Sequence, residues 1–253
     1  CVANGRILRE TPFEKIWVQP AAGDAGGSLG AALSVWHRYL DRERDISKAL
    51  PDRQQGSLLG TEYPDEEIRR YLRMKGAVFE TLDDESLFRK TADHLARGEV
   101  VGWFHGRMEF GPRALGSRSI LADPRTPGML DEVNRRIKYR ESFRPFAPAV
   151  LQSEAGRYFE LECESPYMLL VAQVREDRRS EIPAVTHVDG SARVQTVAPS
   201  HHHRFHRLLE AFYRQTRCPV LLNTSFNVRS EPIVESPQDA FRCFMRTGID
   251  FLV

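Results

Sequence analysis

The densest run of chemically capable side chains is His105-Gly106-Arg107-Met108-Glu109-Phe110-Gly111-Pro112-Arg113-Ala114-Leu115-Gly116-Ser117-Arg118-Ser119. Arg107, Arg113 and Arg118 recur at short intervals, separated by glycines that let the backbone turn closely between them. A guanidinium is a planar fork of donors that matches phosphate or carboxylate oxygens, so several converging on one pocket can neutralise and orient a polyanion. The cations continue through Arg135, Arg136, Lys138, Arg140 and Arg144, after which Pro145-Phe146-Ala147-Pro148 stiffens the chain and fixes the direction of Arg144. Arg135 and Arg136, near Asp131, Glu132 and Glu141, read as a solvated helix face, whereas Arg113, Lys138 and Arg144 read as anion binders.

Three further groups are candidates. Leu222-Asn223-Thr224-Ser225-Phe226-Asn227 follows an apolar strand, where α/β sheets tend to place ligands, although Asn and Ser bonding their own backbone would also build a plain turn. His187 lies beside Ala192-Arg193-Val194-Gln195-Thr196-Val197, a strand with Arg193 and Gln195 on one polar face. His201-His202-His203 with His206 has helical spacing for a metal but no carboxylate or thiolate nearby, and reads rather as an exposed helix start. Gly23 to Gly30 is either a phosphate loop at a helix N-terminus or a set of glycines for close packing. GxxxxGK[ST], GxGxxG, HExxH and GxSxG are all missing, so a nucleotide would have to bind in another way.

These residues need elements to hold them. With 253 residues, 41% hydrophobic and 28% charged, the chain can bury a sizeable core. The net charge of +1 argues against bulk capture of nucleic acid or membrane, so an anion site must be local. Four scattered cysteines without a CxxC pair fit a reducing cytoplasm, and no apolar run is long enough to cross a bilayer. Helices are predicted over Asp65 to Met74 and Asp84 to Arg97, from Thr126-Pro127 onward, over about His203 to Gln215, and after the Ser236-Pro237 cap. Strands are predicted at Val100 to Phe104, Ser119 to Ala122, Met168 to Val174, Ala192 to Val197, Pro219 to Leu222 and the C-terminus. This alternation predicts an α/β fold with a mixed sheet.

In order and content, these segments resemble the O-carbamoyltransferase family of nodulation-factor and antibiotic-tailoring enzymes. The resemblance rests on Gly102 to Gly116, Ile137 to Pro148, Leu221 to Asn227, His187 and Ala192 to Val197, and it covers nearly everything from Asp65 onward. It implies a YrdC-like α/β domain over 64–253 that binds carbamoyl phosphate and ATP and yields a carbamoyladenylate. It also implies roles for Arg113, Lys138, Arg144, Arg193, Asn223 and Ser225 at the phosphates, nucleotide or carbamoyl group, with Lys138 and Arg144 the catalytic pair. Arg107, Arg118, Arg140 and His187 join them as binding candidates. Residues 1–45 resemble the end of an ASKHA-like domain that passes the carbamoyl group to an acceptor hydroxyl near a divalent metal such as Fe or Mg, which makes Asp24 a metal ligand. Residues 46–63 read as a linker.

The absence of an initiator Met and the apolar C-terminus suggest a piece of a longer protein, with the partner ligands to Asp24 upstream and the missing N-terminal domain a partner of this chain. Two other classes of function stand beside this reading. One is an RNA-binding YrdC-like module without carbamoyl chemistry, which the near-neutral charge disfavours. The other is a docking module whose apolar termini complete the missing domain.

Overall fold

The computed structural model describes residues 1–44 and 54–253. Its elements run α1 (Val2–Glu10), α2 (Asp24–Ser34), α3 (Asp65–Met74), α4 (Asp84–Ala96), β1 (Val101–Phe104), β2 (Arg118–Ala122), α5 (Met129–Glu132), β3 (Ala147–Leu151), α6 (Ala155–Tyr158), β4 (Leu170–Gln173), β5 (Ser191–Val197), α7 (Pro199–Thr216), β6 (Val220–Ser225), α8 (Pro237–Arg246) and β7 (Phe251–Leu252). Among the described residues the seven strands form one sheet in the order β4-β5-β3-β6-β2-β1-β7. The β3–β5 and β1–β7 pairs are parallel and the rest antiparallel, so the predicted α/β fold with a mixed sheet is what the chain adopts.

Apolar periodicity places the helices. On α4, Phe88, Ala92 and Leu95 recur on one face, and on α7 so do Phe205, Leu208, Leu209 and Phe212; all are buried with Trp103, Ile120, Val150 and Leu221 of the sheet. Each of the Phe and Leu side chains contributes roughly 1.5–3 kcal/mol of burial. Ser236 caps α8 as its sequence predicts, in a reciprocal capping box with Asp239.

Four local expectations change. The glycines of 23–30 lie mostly within α2 rather than ahead of it, which removes the phosphate-loop alternative there. Thr126-Pro127 does not open a helix: Gly128, at φ 82°, stands before α5, and the chain continues as a π-helical turn over Val133–Lys138. Asn223-Thr224-Ser225 extends β6 instead of forming a loop after it. The proline-flanked stretch after Arg144 is a central strand, β3. Pro148 fits there because it faces Leu222 of β6, while the register with β5 begins only at Ala149.

Of the expected linker, residues 46–53 fall outside the described residues. Its remainder is packed rather than loose: Gly60 N–H donates to the Met108 carbonyl at 2.9 Å, Met108 N–H to the Thr61 carbonyl at 2.8 Å and Phe110 N–H to the Ser57 carbonyl at 2.7 Å. No helix among the described residues is long and apolar enough to cross a membrane.

Candidate active site

The loop from His105 to Ser117 is built around one acid. Glu109, 5% exposed, accepts through Oε1 the backbone N–H groups of Leu115 and Ser117 at 2.7 Å and of Arg118 at 3.3 Å. Burial raises its carboxyl pKa, against the three N–H donors, and Oε2 has no hydrogen-bond partner. Gly116 needs its φ of +116°, and a Cβ there would come within 2.3 Å of the Phe205 ring. Trp103 Nε1 donates to the Gly116 carbonyl at 2.7 Å.

Side chains of the sheet hold the same loop from below. Gln195 Nε2 donates to the Leu115 carbonyl at 2.8 Å, and Asn223 Nδ2 donates to the Ala114 carbonyl at 3.2 Å and to Gln195 Oε1 at 2.8 Å. Both side chains are buried, and Asn223 Oδ1 remains without a partner. Arg113, next to Ala114, is thereby held out at the surface.

Above this floor lies a cavity of about 290 Å³ lined by Arg113, Arg140, Arg144, Arg193, Asn223 and Ser225, with Phe146 and Met168 as its apolar walls. Four guanidiniums from three separate segments therefore meet in one space. Arg193 Nε is buried without a partner, and its pKa falls to about 10 through burial and then the neighbouring Arg113 charge. Arg140, stacked 4.9 Å over Phe146, has its pKa lowered by burial and then by Arg144 and Arg193. The acid at hand is Glu141, paired with Arg144 at 3.1 Å and with Arg229 at 3.7 Å. Like charges at this density, of which only Arg144 is paired with an acid among the described residues, favour a bound anion, and four donor forks suit phosphate oxygens.

Lys138 sits beneath the cavity rather than in its lining. The π-helical turn and Tyr139, in the left-handed region at φ 48°, carry its side chain inward until it is 3% exposed. Its ammonium group donates to the Ser225 carbonyl, to Ser225 Oγ at 3.3 Å, to the Asn227 carbonyl at 3.1 Å and to Asn227 Oδ1 at 2.8 Å. Burial pulls its pKa down to about 7.

Other candidates from the sequence lie elsewhere. Arg118 is fully buried beneath the loop, stacked 3.7 Å over Phe104 and donating to the carbonyls of His105, Gly106, Ser117 and Thr61, so it holds the chain and does not reach the cavity. Arg107 is half-exposed, 3.6 Å from Glu62 and bonded to the Gly60 carbonyl. His187 lines an adjoining cavity that shares Arg193. Arg135 and Arg136 are exposed, as expected, with Arg136 paired to Glu132 and Asp250. His202 is not an exposed helix-start residue: it is partly buried where α7 kinks, its ring 3.0 Å from Ser117 Oγ.

Asp24 is exposed in the first turn of α2, and no group of three His, Cys, Asp or Glu side chains among the described residues is placed to hold a metal ion. The described residues thus do not fit a complete metal site, and no chemical step is assigned to one here.

The residues that sequence reasoning missed are Glu109, Asn227 and the supporting role of Gln195. Glu109 did carry a signal, since it is the single acid between His105 and Ser119.

Residues 92–253 match the carbamoyltransferase C-terminus and residues 1–33 the carbamoyltransferase N-terminus. The whole chain is 56% identical to an uncharacterized protein of Synechocystis sp., covering 44% of that protein. It is 44% identical over its full length to the nodulation protein NolNO of Sinorhizobium fredii, covering 37% of that protein. Over 95% of its length it is 37% identical to the 3'-hydroxymethylcephem-O-carbamoyltransferase of Amycolatopsis lactamdurans, covering 43% of that enzyme. The chain thus spans less than half the length of these curated relatives. With both ends matched, and the C-terminal match covering the entire arginine cavity, the chain belongs to the carbamoyltransferase family.

Proposed function

We propose that this chain is the C-terminal part of an O-carbamoyltransferase, and that its arginine cavity binds carbamoyl phosphate and ATP to form a carbamoyladenylate for transfer to an acceptor hydroxyl. The observation that carries this reading is the convergence of Arg113, Arg140, Arg144 and Arg193 on one cavity whose floor offers Asn223 and Ser225.

The residues divide the work. The guanidiniums offset the charge of two phosphorylated reactants and hold them together, so catalysis is positioning and electrostatic stabilisation rather than covalent. Asn223 Oδ1, buried without a partner, suits the amide N–H of a carbamoyl group. Lys138 braces Ser225 and Asn227 from beneath, and Arg144 faces the reactants. In balance, carbamoyl phosphate yields carbamate and phosphate with one water, and carbamate oxygen then displaces pyrophosphate from the α-phosphorus of ATP. Acceptor transfer, with AMP leaving, belongs to the domain that the longer relatives carry.

Calorimetry with carbamoyl phosphate and with ATP tests the reading. Both should bind, and Arg144→Ala should weaken both by about tenfold or more. Failure of both ligands to bind, or binding indifferent to Arg113→Ala and Arg144→Ala, would overturn it.

A further inference from the structure

Gln195 and Asn223 meet across a strand that separates them. In the sheet β3 lies between β5 and β6, with Gln195 opposite Ala149 and Asn223 opposite Ala147. Directly paired residues share a face, and strands two apart stand roughly 9.5 Å from one another. The side chains close that gap over two alanines, the smallest residues that could lie between them, and Asn223 Nδ2 donates to Gln195 Oε1 at 2.8 Å. Gln195 is 3% and Asn223 1% exposed, so both amides are shielded from bulk solvent.

Carbonyls of the loop dictate which way each amide faces. The oxygen and nitrogen of an amide side chain are alike in shape but opposite in hydrogen bonding, and a backbone carbonyl only accepts. The Leu115 carbonyl therefore requires the nitrogen of Gln195, which it meets at 2.8 Å, and this turns Gln195 Oε1 toward Asn223. Asn223 answers with its nitrogen, and the Ala114 carbonyl at 3.2 Å requires the same atom. The reversed orientation would set acceptor against acceptor at both carbonyls, away from water. Leu115 is itself pinned from its other side, where its N–H donates to Glu109 Oε1 at 2.7 Å.

Asn223 Oδ1 is the atom this chain of bonds leaves over. It is buried without a partner, and its residue lines the arginine cavity with Arg113, Arg193 and Ser225. A fixed acceptor beside guanidiniums sorts ligands by what accompanies their phosphate. Carbamoyl phosphate ends in an amide with two N–H donors. Acetyl phosphate has nearly the same size and shape but ends in a methyl group, which would cover Oδ1 and leave it unpaired, and a site built around a polar partner rejects the analogue that lacks it.

We propose that Gln195 is a positioning residue that sets the specificity of the site: by holding Asn223 with Oδ1 free for the ligand, it selects carbamoyl phosphate over acyl phosphates without N–H donors. This rests on the reading of the arginine cavity as a carbamoyl phosphate site. Gln195 does not line the cavity and acts through Asn223.

Calorimetry of the wild-type chain, Gln195→Met, Gln195→Glu and Arg144→Ala with carbamoyl phosphate, acetyl phosphate and inorganic phosphate tests this. Wild type should bind carbamoyl phosphate about tenfold more tightly than acetyl phosphate. Gln195→Met keeps the length of the side chain but bonds neither neighbour, which leaves Asn223 only its longer bond to Ala114. Its preference should fall to about threefold or less through weaker carbamoyl phosphate, with the other two ligands within about threefold of wild type. Gln195→Glu keeps an oxygen toward Asn223 and should keep the preference even where its charge weakens all three ligands. Arg144→Ala should weaken all three together. If Gln195→Met leaves the preference at its wild-type value, whether or not it weakens the ligands as a set, Gln195 is only structural and the proposal is overturned. Equal binding of carbamoyl and acetyl phosphate by wild type also overturns it, and the phosphate site stands. If none of the three ligands binds wild type, the reading of the cavity falls as well. If Gln195→Met melts below the assay temperature, Gln195→Ala takes its place with the same expected loss of preference.

Discussion

Glu109 Oε1 accepts the backbone N–H of Ser117 at 2.7 Å from inside the very turn that holds Arg113 out to solvent. A cluster of N–H groups of this kind commonly binds an external anion. Here an internal carboxylate fills it, and the loop is set before any ligand arrives.

Replacing that carboxylate should be costly. Glu109→Ala leaves the N–H groups of Leu115, Ser117 and Arg118 buried without an acceptor, for a loss on the order of 3 kcal/mol. Glu109→Gln keeps an acceptor oxygen and should lose less. Denaturant unfolding measures both, and an Ala variant within about 0.5 kcal/mol of wild type contradicts the role.

The arginine cavity predicts opposite effects on stability and on binding. Arg113→Ala removes a charge that faces Arg193, so the ligand-free chain should be no less stable. Its affinity for sulfate or carbamoyl phosphate should fall by about tenfold, whereas Arg135→Ala should change affinity by less than about twofold. Equal effects from the two substitutions would show that binding is diffuse.

Lys138 gives a pH signature. Its pKa in the fold, about 7, lies below the ordinary 10.5, so the unfolded chain binds more protons between these values and stability should rise with pH across that window. Below pH 7 both states are protonated and the full cost of the buried ammonium is present. Function runs the other way, because the ammonium braces Ser225 and Asn227. Affinity for sulfate, which does not titrate here, should drop as pH rises through about 7, and Lys138→Met should flatten the profile. A wild-type profile as flat as that of the variant would remove Lys138 from the site.

Two glycines should respond with opposite signs. Gly116→Ala meets both a positive φ and the Phe205 ring, so it should destabilise by about 2 kcal/mol or more. Gly27 lies inside α2 with nothing within 4 Å of a new Cβ, so Gly27→Ala should stabilise by about 0.5–1 kcal/mol. Thermal melts of the pair decide whether the loop conformation is as constrained as described.

Much of the cavity was legible because guanidiniums set between glycines and prolines point to one kind of chemistry whatever the fold: Arg113, Arg140, Arg144, Arg193, Asn223 and Ser225 are named by the sequence and share one space. What misled was local grammar overruled by tertiary pairing. Pro145 and Pro148 argue against a strand, yet β3 begins two residues after Pro145 and runs through Pro148, because β6 supplies a partner where Pro148 lacks only a bond toward β5. Asn223 to Ser225 have turn chemistry but pair with Leu121 to Ser119 of β2. Arg118 resembled Arg113 in sequence, and only burial separates a guanidinium that binds carbonyls from one that awaits an anion. Likewise, nothing in the spacing of Lys138 tells that its ammonium points beneath the cavity.

α1 lies close against β4, and the two wall the cavity that His187 lines. β4 ends the sheet on one side, and its outward carbonyls would offer a template for a strand from another molecule. Asn4 and Arg9 occupy the Leu169 and Val171 carbonyls with side chains, which cannot extend the ladder, and the missing Cβ of Gly5 lets the helix lie flat over them. At the opposite rim β7 is only two residues long and offers little to copy. The first ten residues therefore cover the β4 rim, and removing them would bare the Leu169 and Val171 carbonyls to solvent.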